Sequence, residues 1–218
     1  RQILIIFITP MSKALSCYAF ESLLFKLNLE SNKIPLSKYF ETLHESFTAL
    51  PSRAPLFITW NKNHQLRGCI GTFSPLPIES GVSRYALHAA LQDPRFFPIS
   101  TSEVESLEVS VTLLDNFVTI DNPLDWEIGV NGLKISFQLN NEHYSGTFLP
   151  SVAEEENWDK LTTLHYLLKK ADYPVSQKNV SQFYEKGLNE GWLELTRYDG
   201  LKNRLDYNEC IRIRNQVE

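Results

Sequence analysis

The sequence predicts an α+β fold, a largely antiparallel sheet flanked by helices. Three observations carry this. Apolar residues recur at helical spacing in several blocks, apolar and polar residues alternate in others, and tight-turn residues separate the alternating runs. Strands joined by tight turns must pair antiparallel.

The elements follow in order. Ser12 to Asn28 repeats Leu15, Ala19, Leu23 and Leu27 every four residues, with Ser12 as cap, and reads as a helix. Pro35 opens a second helix with Phe40, Leu43 and Phe47 on one face. Leu50 to Pro55 connects to a strand at Leu56 to Trp60, whose residues are strand formers apart from Leu56. Asn61 to His64 reads as a turn, and Gln65 to Phe73 as the returning strand. Ser74 to Pro77 reads as a stiff loop before a helix at Glu79 to Gln92. The buried stripe of that helix is Ile78, Val82, Tyr85 and Ala89, and Asp93-Pro94 ends it. Leu107, Val109, Val111 and Leu113 alternate with polar residues as in a half-buried strand. Trp126 to Val130 and Leu133 to Leu139 form a hairpin about Asn131-Gly132, with positive φ expected at both turn residues. Asn140 to Glu142 turns the chain into a strand at His143 to Leu149. Leu161, Leu164, Leu168 and Ala171 mark one later helix. Val180, Phe183 and Leu188 mark another, which stops at Gly191. Trp192 to Tyr198 returns to strand, and Tyr207 to Arg214 is a short amphipathic tail.

No linker divides the chain, so 12–215 reads as a single domain after an N-terminal extension, 1–11. Met11, the sole methionine, is a candidate start. With 218 residues, 43% hydrophobic and 12% aromatic, the chain can bury a core. Its net charge of −5 argues against a general nucleic-acid binder. Ile3 to Ile8 is apolar but far short of the roughly 20 residues that cross a bilayer, so no membrane role is expected. The three cysteines, Cys17, Cys69 and Cys210, are odd in number and lack paired spacing. They suggest neither a disulfide framework nor a thiol zinc site, and a reducing compartment, cytosol or nucleus, fits them. None of the five histidines is spaced as a metal ligand, so no metal is expected. Phosphate-binding glycine loops and the Gly-x-Ser-x-Gly elbow are also absent. Glu154-Glu155-Glu156 reads as a solvated helix face.

Chemistry concentrates in Leu66-Arg67-Gly68-Cys69-Ile70-Gly71. Strict alternation places Leu66, Gly68 and Ile70 on the core face, and Arg67, Cys69 and Gly71 on the other. Arg67 suits a carboxylate or phosphate and would favour a thiolate at Cys69. Gly68 and Gly71 would allow a ligand close approach. The plainer reading makes Cys69 a small buried hydrophobe, since no base lies next to it in sequence. His88 is the one histidine to test as a base, and Cys69 the one nucleophile. Asp93-Pro94-Arg95-Phe96-Phe97 reads as a helix stop with an internal ion pair, or as a source of ligand contacts from Asp93 and Arg95.

The hexapeptide, extended by Thr72-Phe73, resembles the signature of the AMMECR-one domain family. Pro55 to Trp60 is similar to the strand before it. Asp93, Arg95 and Phe96 resemble a second family block, although Pro94 stands where animal members carry serine. Leu149-Pro150, Val152-Ala153, Glu155 and Trp158-Asp159 resemble a third, and Leu195-Thr196-Arg197-Tyr198 resembles the eukaryotic branch. The resemblance implies an intracellular α+β protein with two unequal lobes and a cleft. It also implies association with Memo-like and radical-SAM proteins. It implies no cofactor, substrate or established activity. Two readings stand: a cleft binding a small anionic ligand, or a non-catalytic protein-interaction module in which the hexapeptide is structural.

Overall fold

A computed structural model of the chain describes residues 11–217. Of the expected extension at 1–11, all but Met11 lies outside the described residues. Six strands line up in the order β2-β1-β3-β6-β4-β5, and with the helices they make the α+β fold expected. The chain divides into two compact units. One runs to Leu113 and resumes at Leu201, and the other is Leu114–Gly200.

The first unit is organised on α1 (Lys13–Lys26), whose N-terminus Ser12 caps by accepting the Leu15 N–H. Every residue from Ala14 to Leu24 is buried, so this helix is core all round instead of carrying a single stripe. Around it sit α2 (Leu36–Leu43), α3 (Ile78–Leu91) and α7 (Tyr207–Arg214). Strands β1 (Arg53–Lys62) and β2 (Gln65–Pro77) form a hairpin closed by Asn63 and His64, at φ 50° and 62°, the φ signs of a type I′ turn. On the helix side of β1, Leu56, Ile58 and Trp60 are fully buried, and Trp60 donates its indole N–H to the Ala86 carbonyl of α3.

The register corrects the alternation drawn from sequence. Trp60 pairs with Gly68 but Asn61 pairs with Leu66, so Arg67 is an extra residue, a β-bulge. The bulge breaks the period of two, and Leu66 ends up 45% exposed instead of in the core. Ser74 to Pro77, expected as a loop, continues β2.

The second unit holds the sheet strands that follow Leu114. Asn131-Gly132 is not a turn there. It begins β4 (Asn131–Leu139) and pairs with Asp199 and Tyr198 of β6 (Leu193–Asp206). Trp126 to Val130 is accordingly not a strand. Gly132 is glycine for a different reason: a Cβ would sit 2.3 Å from the Tyr198 ring. The two-residue turn falls at Asn140-Asn141, φ 52° and 64°, between β4 and β5 (Glu142–Phe148). Helices α4 (Ser151–Glu155), α5 (Lys160–Lys170) and α6 (Val180–Glu190) complete this unit. Leu164 and Leu168 are buried as expected, whereas Leu161 is exposed. Gly191 ends α6 at φ 77°. β3 (Leu107–Thr119) starts in the first unit and enters the second at Leu114. Among the described residues no helix is long and apolar enough to cross a membrane.

Candidate functional site

The hexapeptide lies on β2, the outermost strand beside β1. Gly68 faces α3, where a Cβ would stand 2.1 Å from the Ala89 carbonyl oxygen. Gly71 lies under the Phe57 ring, 2.1 Å from the same hypothetical atom. Both glycines are therefore used up by close packing of this chain on itself. That is the structural reading of these two residues, and it takes them away from direct ligand contact.

An edge strand leaves outward N–H and C=O groups unpaired. At Cys69 both are taken by the segment after α3. The Cys69 N–H donates to Asp93 Oδ2 at 2.9 Å, and Arg95 Nη2 donates to the Cys69 carbonyl at 3.2 Å. Asp93 and Arg95 thus act as a short surrogate for a neighbouring strand. The Arg95 guanidinium reaches Asp93 through Nη2 at 2.7 Å and Nε at 3.0 Å, and the Arg95 N–H donates to Asp93 as well. These donors hold the buried Asp93 carboxyl well below the usual carboxylate range, with the Arg95 side chain the main cause.

Arg67, thrown out of register by the bulge, meets Glu103. Nε and Nη2 donate to the two carboxylate oxygens at 2.9 and 3.2 Å, a bidentate fork. Lys62 adds a third bond at 3.1 Å. Glu103 also closes a capping box with Ser100 at the next 3-10 turn. The Arg67 bonds, above all, lower its carboxyl to about 2. The remaining guanidinium nitrogen of Arg67, Nη1, is buried and has no hydrogen-bond partner.

Beside these groups is a groove of about 420 Å³ lined by Arg67, Pro94, Arg95, Phe96 and Phe97. That is the size of a small-ligand pocket. Phe97 is 90% exposed, the most exposed of the large apolar side chains among the described residues. Arg95 lies over the Phe96 ring at 5.5 Å. The groove therefore combines hydrogen-bond donors with aromatic surface.

The structure brings Arg67, Cys69, Asp93 and Arg95 together. Cys69 is half-buried and unbridged, and its Sγ accepts a hydrogen bond from Thr59 Oγ1 at 3.1 Å. His88 lies one turn from the end of α3 against Tyr85, does not line the groove and is not bonded to Cys69. Among the described residues no base is hydrogen-bonded to that thiol, and a Cys–His pair is not assembled. Sequence reasoning missed Glu103, Lys62 and Thr59. Glu103 had a visible signal, since Ser100-x-x-Glu103 is the capping-box pattern. Its pairing with Arg67 spans 36 residues and left none. Among the described residues no group of three or more metal-ligating side chains converges.

The AMMECR1 family model matches residues 16–186. An uncharacterized protein of Schizosaccharomyces pombe is 41% identical over 161 residues, 72% of this chain and 78% of its own. An uncharacterized protein of Saccharomyces cerevisiae is 35% identical over 232 residues, 95% of this chain and 91% of its own. In the solved structure of an uncharacterized protein of Pyrococcus horikoshii the same fold recurs, with TM-score 0.60 and 22% identity over 88% of this chain and 90% of that one.

Proposed function

This chain belongs to the AMMECR1 family, and from that premise we propose that it binds a small anionic ligand in the groove beside Leu66–Gly71. The observation that carries the reading is Arg67. Its fork is fixed by Glu103, while Nη1 stays buried without an acceptor. A charged donor left unpaired is costly, and a ligand oxygen would relieve it. Arg95 lines the same groove with its Nη1 uncommitted to Asp93. Asp93 serves by holding Arg95 and the edge of β2 in place. Gly68 and Gly71 serve by letting β2 lie close to α3 and Phe57.

Binding rather than turnover is the reading, because Cys69 has a hydroxyl partner but no base. The free cysteines favour a reducing compartment, cytosol or nucleus. Immobilised protein exposed to a small-molecule cell extract tests the proposal. The expected result is an acidic compound retained by the native chain and lost from Arg67→Leu. Equal retention by both would contradict it.

A second reading is a protein-interaction module in which the hexapeptide is structural, with a Memo-like protein as the partner class offered by the family resemblance. It is favoured by Phe97, whose ring stands almost wholly in solvent. On that reading Phe97→Ala loses a protein partner, and Arg67→Leu loses it no more than its loss of stability requires.

A further inference from the structure

We infer that the groove selects a flat aromatic monocarboxylate over a phosphate or an aliphatic acid. This inference rests on the binding proposal above and names the ligand class. Charge sets the first limit. Lys62, Arg67 and Arg95 supply three positive charges, and Glu103 and Asp93, bonded to them, supply two negative ones. One net positive charge is left for the ligand. A monoanion completes this balance, whereas a phosphate near its dianionic form would leave an uncompensated charge beside the buried Asp93 and half-buried Glu103 carboxylates.

Shape sets the second. Pro94, Phe96 and Phe97 supply the rest of the lining. An apolar ring left 90% in water forgoes the burial its surface would reward, and a flat aromatic ligand recovers it by stacking. The groove, about 420 Å³, admits a molecule of one or two rings. Geometry sets the third. The bidentate bond to Glu103 fixes the guanidinium plane of Arg67, whose Nη1 lies without a partner just under the lining, and the more exposed Arg95 keeps its own Nη1 free of Asp93 for an acceptor. A carboxylate coplanar with an aromatic ring can face such donors while the ring lies against Phe97.

Calorimetric titration with four probes tests this: benzoate, acetate, inorganic phosphate and benzyl alcohol, each against the native chain and Phe97→Ala. Phe97 is on the surface, so the variant keeps its fold. Benzoate should bind at least about tenfold more tightly than acetate, equivalent to about 1.4 kcal/mol. It should also bind more tightly than phosphate and benzyl alcohol. Phe97→Ala should bring benzoate down to the acetate level and leave acetate unchanged. Equal affinities for benzoate and acetate, a preference for phosphate, or benzoate binding indifferent to Phe97→Ala would overturn the inference while the anion-binding proposal stood. Failure of every probe to bind the native chain would sink both.

Discussion

Two arginine–carboxylate pairs in the first unit make the same bond and differ in how it is finished. Arg214 on α7 reaches the fully buried Glu21 of α1 through Nε at 2.9 Å and Nη2 at 3.4 Å. Its Nη1 goes to Glu30 at 3.3 Å. Glu21 takes two more bonds, from Tyr39 Oη at 2.6 Å and the Ile34 N–H at 2.8 Å. This network is closed: it ties α7, α2 and the loop after α1 to the central helix. Arg67 and Glu103 form the same fork, but Nη1 of Arg67 has no partner. The difference separates a structural pair from a candidate binding group. Burial does not make that separation, since the two arginines are nearly equally covered, at 17% and 15% side-chain exposure.

The largest effect should come from breaking the closed network. Glu21→Ala takes the main partner from Arg214, leaving it Glu30, and strands the Tyr39 hydroxyl and the Ile34 N–H; it should cost about 3–5 kcal/mol in denaturant unfolding. Arg67→Leu should cost less, about 1–2 kcal/mol, because Glu103 keeps Lys62 and the Ser100 N–H. Equal losses would erase the distinction between the two sites.

Next comes Gly68→Ala. Its methyl would drive into the backbone carbonyl of Ala89, which cannot swing aside. A loss of about 1–3 kcal/mol is expected, together with loss of any ligand binding at Arg67, since α3 and β2 would separate there. Unchanged unfolding would show that the glycine leaves room for something other than α3.

Acid sharpens the comparison further. Glu103 has a folded-state pKa depressed from 4.5 to about 2. Its contribution is therefore present above pH 4.5 and is lost as pH falls toward 2. Asp93 is depressed in the same sense. Stability followed from pH 5 to pH 2 should decline, and in Arg67→Leu the part due to Glu103 should be smaller, with only Lys62 and Ser100 left to hold the carboxylate. Parallel pH curves for the two proteins would mean that Arg67 is not the main cause of the shift.

The smallest effects belong to Cys69. Sequence alone favours alanine over serine at this position, because a buried serine hydroxyl would lack a partner. The structure supplies one in Thr59. Cys69→Ser and Cys69→Ala should accordingly unfold within about 1 kcal/mol of each other. A much less stable serine variant would remove Thr59 as that partner.

What was legible in the sequence was local. The hairpin of β1 and β2 and the helix ending before Asp93 follow from periodicity and turn residues within a few positions. What failed was decided by distant contacts. Asn131-Gly132 carries a strong hairpin signal, yet Gly132 is there to admit the Tyr198 ring, 66 residues on. The two-residue turn is the one expected from Asn140 to Glu142, at Asn140-Asn141, which lacks glycine but tolerates positive φ. Leu66 was misplaced because alternation assumes an unbroken ladder, and the bulge at Arg67 breaks it. The same bulge delivers Arg67 to Glu103, so the site rests on an irregularity that periodicity could not show.

Nitrogen-15 NMR of the arginine side chains during addition of benzoate tests the central claim most directly. The resonances of Arg67 should move as Nη1 gains an acceptor, while those of Arg214, its partners complete, stay fixed. An Arg67 that does not respond, or an Arg214 that responds as much, would contradict the account.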